Sequence, residues 1–205
     1  MSFEKFPAVE RLNNELVKDY LLVCVNKMDR DFYKVVAFSE FDFGKINREG
    51  GHDWSAMYFQ FTIAHALGYA TDKTSSDNII CLTKFKFRDT TEIKIHEFND
   101  AIFGSDCVTG EEKAKKIKNM LNIKLEEKLM KAINGAVILY DNVSELELII
   151  SHDMVNENNL LVQNLVQFKI KDHMLTHWRR YGNTEWIQLS PSEMLNPRSL
   201  DIKQE

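Results

Sequence analysis

The chain has 205 residues, 44% of them hydrophobic, with thirteen Phe, six Tyr and three Trp. That is enough apolar area for a core without disulfides or metal, which excludes global disorder. With 26 Lys and Arg against 31 Asp and Glu, the net charge of -5 disfavours a general nucleic-acid binder. The three cysteines, Cys24, Cys81 and Cys107, are widely spaced and form no C-x-x-C pair, so neither a disulfide framework nor a zinc knuckle is suggested.

In chain order, Pro7 followed by Val9, Leu12, Leu16 and Val17 predicts a short amphipathic helix that ends near Tyr20. "YLLVCVN" and "FYKVVAFSEF" are rich in β-branched and aromatic residues and flank the polar "KMDRD", which predicts a hairpin. Cys24 and Cys81 fall inside apolar strand-like runs and are expected to be buried thiols. The loop "FDFGKINREGGHD" follows, with Asp53 placed to cap a helix over "WSAMYFQFTIAHALGYA". That helix is apolar nearly all round and is expected at the centre of the core, with His65 buried on it.

Beyond Thr109, "TGEE" has the pattern of a capping box, with Glu112 reaching back to Thr109. Two helices are expected after it, one striped by Ile117, Met120 and Leu121, the other by Leu125, Leu129, Ala132 and Ile133. "GAVILYD", "SELELIIS" and "LLVQNLVQFKIK" read as strands, and "HMLTHWRRYG" as a short helix closed by Gly182. "TEWIQLS" is the last strand. "SPSEML" is a capped final helix, with Ser190, Pro191 and Glu193 in the capping positions.

These readings predict an α+β fold: a largely antiparallel sheet with hairpins packed on a buried central helix, plus a helical pair in the middle of the chain. One domain over 1–205 is the simplest division, with a cut into 1–108 and 109–205 as the alternative. The charged opening "MSFEKFPAVERLNNELVKDY" and the lack of any apolar run of about 18 residues lead to the expectation of a soluble, cytoplasmic protein without a membrane segment.

The stretch "TKFKFRDTTEIKIHEF" carries the most suggestive chemistry. Folded as a hairpin about Asp89, Thr90 and Thr91, it turns Phe85, Phe87, Ile93 and Ile95 to the core. Lys84, Lys86, Arg88, Lys94 and His96 then share the other face with Glu92. Such a ribbon is either an ordinary solvated face whose lysines discourage edge pairing, or a cationic strip that docks an acidic partner or a phosphate backbone. Glu92 and Lys94 also have the Glu-x-Lys spacing of a metal-dependent nuclease strand, which requires Mg or Mn and a second acid from among Asp42, Asp77 and Asp89.

A second polar cluster is Glu49, His52 and Asp53, where glycines meet an expected helix start. His173 and His177 stand four apart, without a third ligand or an HExxH pattern to make a zinc site. No Walker A, GxGxxG, GxSxG or EF-hand motif occurs. The leading functional expectation is therefore a non-enzymatic protein-binding module of inhibitor, immunity or accessory type, needing no cofactor, with a protein partner at the basic ribbon and the Glu49–Asp53 loop. The alternatives are a metal-dependent nuclease or phosphoester hydrolase using Glu92 and Lys94, and nucleic-acid binding without cleavage.

Overall fold

The structure is a computed structural model that describes residues 9–11, 21–26, 30–44, 56–73, 75–89, 91, 93–98, 109, 112, 136–140 and 145–202. Its strands are β1 (Val9–Arg11), β2 (Leu21–Asn26), β3 (Phe32–Val36), β4 (Ala56–Gln60), β5 (Ile79–Phe87), β6 (Ile93–Phe98), β7 (Ala136–Tyr140), β8 (Leu146–Ser151), β9 (Leu160–Lys171), β10 (Met174–Arg180) and β11 (Ile187–Gln188). Two short helices, α1 (Ile63–Gly68) and α2 (Pro191–Leu195), lie among them, with 3-10 turns at Ala70–Asp72, His152–Met154 and Pro197–Ser199. Among the described residues no helix is long and apolar enough to cross a membrane.

The chain forms two compact units. The first comprises Met1–Asp29, Asp53–Tyr58 and Phe87–Asn159, the second Arg30–His52, Phe59–Lys86 and Leu160–Glu205. In the first unit the strand order is β1-β2-β6-β7-β8. β2 is antiparallel to β1 and β6, β6 runs parallel to β7, and β7 is antiparallel to β8. Leu148, Ile149 and Ile150 of β8 are buried in succession, so that strand is covered on both faces.

In the second unit β3 and β9 flank β5, β10 follows β9, and β11 is the outer strand of that order. β9 turns into β10 through Asp172 and His173, both with positive φ (49° and 61°), the conformation of a two-residue type I′ hairpin turn. One face of the sheet carries Tyr33, Val35, Ile80, Leu82, Val166, Phe168, Ile170 and Leu175, packed against Ala66, Leu67 and Ala70. Because side chains alternate along a strand, Phe32, Cys81, Thr83 and Phe85 face the other way. There Phe32, Phe59 and Phe85 form an aromatic cluster, with Phe32 stacked on its register partner Phe85 at 6.0 Å. Each fully buried ring contributes about 1.5–3 kcal/mol against exposure.

The α+β expectation with a buried central helix is overturned, for the described residues form a mostly antiparallel sheet. The stretch expected as that helix splits at Thr62: Ala56–Gln60 is strand, and Thr62, extended at φ -132°, caps the six-residue α1 by accepting from the His65 amide at 3.1 Å. A hydroxyl that bonds the backbone two or three residues on starts a new helix, and the aromatic run before it suits a pleated strand. His65 is buried on α1 as expected.

Three further expectations are corrected. Val9–Arg11 pairs with β2 as a strand, where a helix was predicted. β2 and β3 do not form a hairpin, since β2 lies between β1 and β6 while β3 pairs with β4 and β5. The expected helix over "HMLTHWRRYG" is β10; its glycine-free turn hides the reversal at Asp172 and His173. The stripes of the expected helical pair lie outside the described residues, although the capping contacts are present: the Thr109 amide donates to Glu112 at 2.8 Å and the Glu112 amide to the Thr109 hydroxyl at 3.2 Å. β7, β8 and β9 occur where the sequence puts them, as does α2, with the Ser190–Glu193 capping box in place.

Candidate functional site

The basic ribbon has its turn but not its pairing. Thr91 donates its amide to the Arg88 carbonyl at 2.9 Å, closing a tight turn, and Phe85 and Phe87 are buried. Both edges of β5, however, are taken by β3 and β9, and β6 pairs with β2 and β7. The expected juxtaposition of Lys86 with Lys94 and of Lys84 with His96 therefore does not form. A hydrogen-bonded strand has only two edges, and periodicity says which side chains turn inward without saying which strands are neighbours.

The former ribbon cations divide into separate roles. Arg88 fixes the turn in the first unit, donating Nε to the Glu157 carbonyl at 2.8 Å and its amide to the Asn159 carbonyl at 2.8 Å. The backbone of Lys94 and His96 belongs to β6, and their side chains lie outside the described residues. So do Glu92, Glu49, His52 and Asp53. Lys86 is half-buried on β5. Lys84, in the second unit, is also half-buried, with Nζ 3.8 Å from Asp31.

Lys84 opens into a cleft of about 460 Å³ whose wall also includes Arg180, Trp178, Tyr181, Asn164 and Asp201. Its construction follows from the sheet. β5 supplies Lys84, β9 supplies Asn164, the end of β10 supplies Trp178 and Arg180, and the C-terminal segment closes the wall with Asp201 and Ile202. Two cations, one carboxylate and an indole thus line a space of the size that takes a small molecule or one or two side chains.

Neighbouring arginines on β10 point to opposite faces and do different work. Arg179 is tied down: Nε donates to Gln167 Oε1 at 2.8 Å, and the guanidinium lies 4.3 Å from the Trp186 ring centre. The Lys169 ammonium is 4.7 Å from the same ring. Arg180, exposed at the strand end, faces the cleft.

Behind the cleft a strap, residues 37–44, crosses the aromatic face. The Phe41 ring sits edge-on to Phe85 at 4.8 Å, and the Phe41 amide donates to Asn164 Oδ1 at 3.0 Å. Gln167 Nε2 donates to the Ser39 carbonyl at 2.6 Å, and the Tyr181 hydroxyl donates to Glu40 at 2.5 Å. The Glu40 carboxylate beside it pushes the Tyr181 pKa above its ordinary value, because ionising the phenol would remove the donor and oppose two negative charges. Asn164 Oδ1 also accepts from Thr83 at 3.0 Å. It therefore joins cleft, strand and strap.

Cys81 is fully buried on this face, and burial pushes its thiol up to about 12. It is a packing residue rather than a nucleophile, since thiolate is the reactive form. The other sequence candidates have structural partners. Asp42 accepts from the Gly44 amide at 2.8 Å, and Asp77 from the Ser75 hydroxyl and the Ile79 amide, so both shape turns. His173 Nδ1 meets the Thr71 carbonyl at 3.3 Å in the hairpin turn, while His177 lies on β10. Among the described residues no group of three or more His, Cys, Asp or Glu side chains could hold a metal ion.

Lys84 is a candidate from the sequence alone, whereas its company in the cleft, Trp178, Arg180, Tyr181 and Asn164, is not. The signal available was "HWRRYG", aromatic and cationic residues alternating at a strand end, once the strand itself is recognised. The chain matches no protein-family model, no curated protein and no solved structure.

Proposed function

We propose that this protein is a non-enzymatic binding module of inhibitor, immunity or accessory type, and that its second unit docks a carboxylate-bearing segment of a protein partner in the Lys84–Arg180 cleft. The observation that carries the reading is the presence of these two cations in one wall with Trp178. Lys84 and Arg180 attract a carboxylate, and Arg presents a planar fork suited to it. Trp178 supplies apolar area and an indole donor for the segment that carries the acid. A cleft of this volume takes a side chain or two, so the remaining affinity comes from the surrounding surface.

The site replaces the ribbon as the proposed docking surface, keeping Lys84 and adding β10. Charge on the wall favours an acid over a base only modestly, because Asp201 sits in the same wall and Asp31 near Lys84. The module is expected to choose by geometry and partner fit, with electrostatics contributing to encounter rate.

Fluorescence anisotropy with a fluorescein-labelled hexaglutamate peptide tests the proposal. Lys84→Ala with Arg180→Ala is expected to weaken binding about tenfold or more, while Lys171→Ala, exposed and outside the cleft, changes it by less than about twofold. Equal losses in the two variants would reduce the interaction to diffuse surface charge and remove the cleft from it.

A further inference from the structure

The Lys84–Arg180 cleft carries both signs of charge on one face of the sheet. Lys84 alternates with Ile80 and Leu82 and is the register partner of Tyr33, while Arg180 alternates with Trp178 and is the register partner of Val166. Tyr33, Ile80, Leu82 and Val166 all belong to the face packed against α1, and Trp178 packs on it too, so both cations project to that side.

Asp201 arrives on the same side from the C-terminal segment. Leu200 and Ile202 pack against that face. Between them the Ile202 amide donates to the Leu200 carbonyl at 3.1 Å, which closes a tight turn with Asp201 at its apex. Two apolar anchors thus hold an exposed carboxylate in the cleft wall. Among the described residues that carboxylate makes no hydrogen bond or ion pair, so neither Lys84 nor Arg180 neutralises it.

We infer that Asp201 sets the specificity of the cleft: it takes the base of a mixed-charge segment whose acid is held by Lys84 and Arg180. The inference rests on the proposed acid-binding role of the cleft and names the kind of segment that fits it.

A cleft of about 460 Å³ takes a side chain or two, and the charges of its wall decide which two. A purely acidic segment satisfies the cations but brings its next carboxylate towards Asp201, where like charges oppose it. A Lys or Arg in that second place turns the repulsion into an ion pair. Side chains on one side of an extended chain are two residues apart, so the fitting pattern is acid-x-base or base-x-acid. Each contact at so exposed a position is modest, and the selectivity comes from the change of sign.

Long-range charge and a local ion pair make opposite predictions for Asp201→Asn, which removes one negative charge from the protein. Fluorescence anisotropy on the full chain compares labelled hexaglutamate with labelled Glu-Ala-Lys-Ala-Glu-Ala, which presents both orders and keeps a net negative charge. Asp201→Asn is expected to tighten hexaglutamate about twofold and to weaken the mixed peptide about threefold, the scale of an exposed ion pair. Asp201→Glu, which keeps the charge, is expected to restore native binding of the mixed peptide. Tightening of both peptides by Asp201→Asn, no change for the mixed peptide, or failure of the native protein to bind it would overturn the inference. A loss that Asp201→Glu does not restore would trace the effect to the turn and overturn it as well. In each of these cases, hexaglutamate binding that still depends on Lys84 and Arg180 leaves the acid-binding cleft standing. Binding of neither peptide by the native protein would overturn both.

Discussion

On one face of the second unit's sheet, Ile80, Leu82, Val166, Phe168 and Ile170 pack against α1 and the turn after it, a mostly aliphatic layer. On the other, Phe32, Phe59 and Phe85 lie beneath Phe41, and the strap that carries Phe41 is tied by Asn164, Gln167 and Tyr181. The first cover rests mainly on burial, with His173 Nδ1 meeting the Thr71 carbonyl at its margin. The second combines burial with hydrogen bonds, two of which involve residues that also line the cleft, Asn164 and Tyr181. Polar ties at a half-exposed edge cost little to exchange, whereas an aliphatic layer can only be opened by losing its packing.

The sharpest way to break this comparison is Phe85→Ala, which takes the ring shared by Phe32, Phe41 and Phe59 out of the aromatic face. A loss of about 3–5 kcal/mol in urea unfolding is expected, together with faster amide exchange at Phe41. Retention of Phe41 protection would mean that the polar ties alone seat the strap.

Alkaline titration probes the same face through Cys81. Folding raises this thiol from 9.0 to about 12, so the unfolded chain gives up its proton first. Its contribution to stability is complete below pH 9 and is lost as pH rises towards 12, where the native state also ionises. Cys81→Ser is expected to make the fall in stability over that window shallower than in the native protein, measured by urea midpoints at each pH; superimposable slopes would show that the thiol is not held protonated by the fold.

A smaller effect is expected on the aliphatic face, at the end of α1. A Cβ at Gly68 would lie 2.5 Å from Arg198 Nε and 2.7 Å from its Nη2, so Gly68→Ala must displace the guanidinium. A loss of about 1 kcal/mol is expected, since the obstructing group is the end of a flexible side chain. In an Arg198→Ala background the same change should be neutral or stabilising, as alanine is the better helix former. Thermal unfolding of the four proteins measures the difference, and a loss that persists without Arg198 would trace the constraint to the helix backbone.

The sequence was legible where local chemistry decides structure. The Ser190–Glu193 box, the alternation of Val166, Phe168 and Ile170, and the inward turn of Phe85 and Phe87 all depend on neighbours within a few residues, and all are present. It was opaque where partners come from afar. Nothing in "TKFKFRDTTEIKIHEF" states that β5 will find β3 and β9 while β6 finds β2 and β7. Two of the three misread helices, those over β4 and β10, share a cause as well: consecutive residues of each strand are at least partly covered, which leaves no period-two pattern to distinguish it from a helix. Thr62 and the Asp172–His173 turn decide those cases, and each acts through a backbone conformation that composition does not announce. The cleft inherits both difficulties, because it assembles Lys84, Asn164 and Arg180 from three strands, one of which was read as a helix.

The most direct test of the central claim compares two tryptophans on opposite faces of the same sheet. Trp178 lines the cleft, and Trp186 is held by Lys169 and Arg179 away from it. Their indole N–H signals, assigned by Trp178→Phe and Trp186→Phe, are followed by NMR as hexaglutamate is added. A saturable shift of the Trp178 signal with Trp186 unmoved is expected. A stationary Trp178 signal, or a shift confined to Trp186, would contradict it.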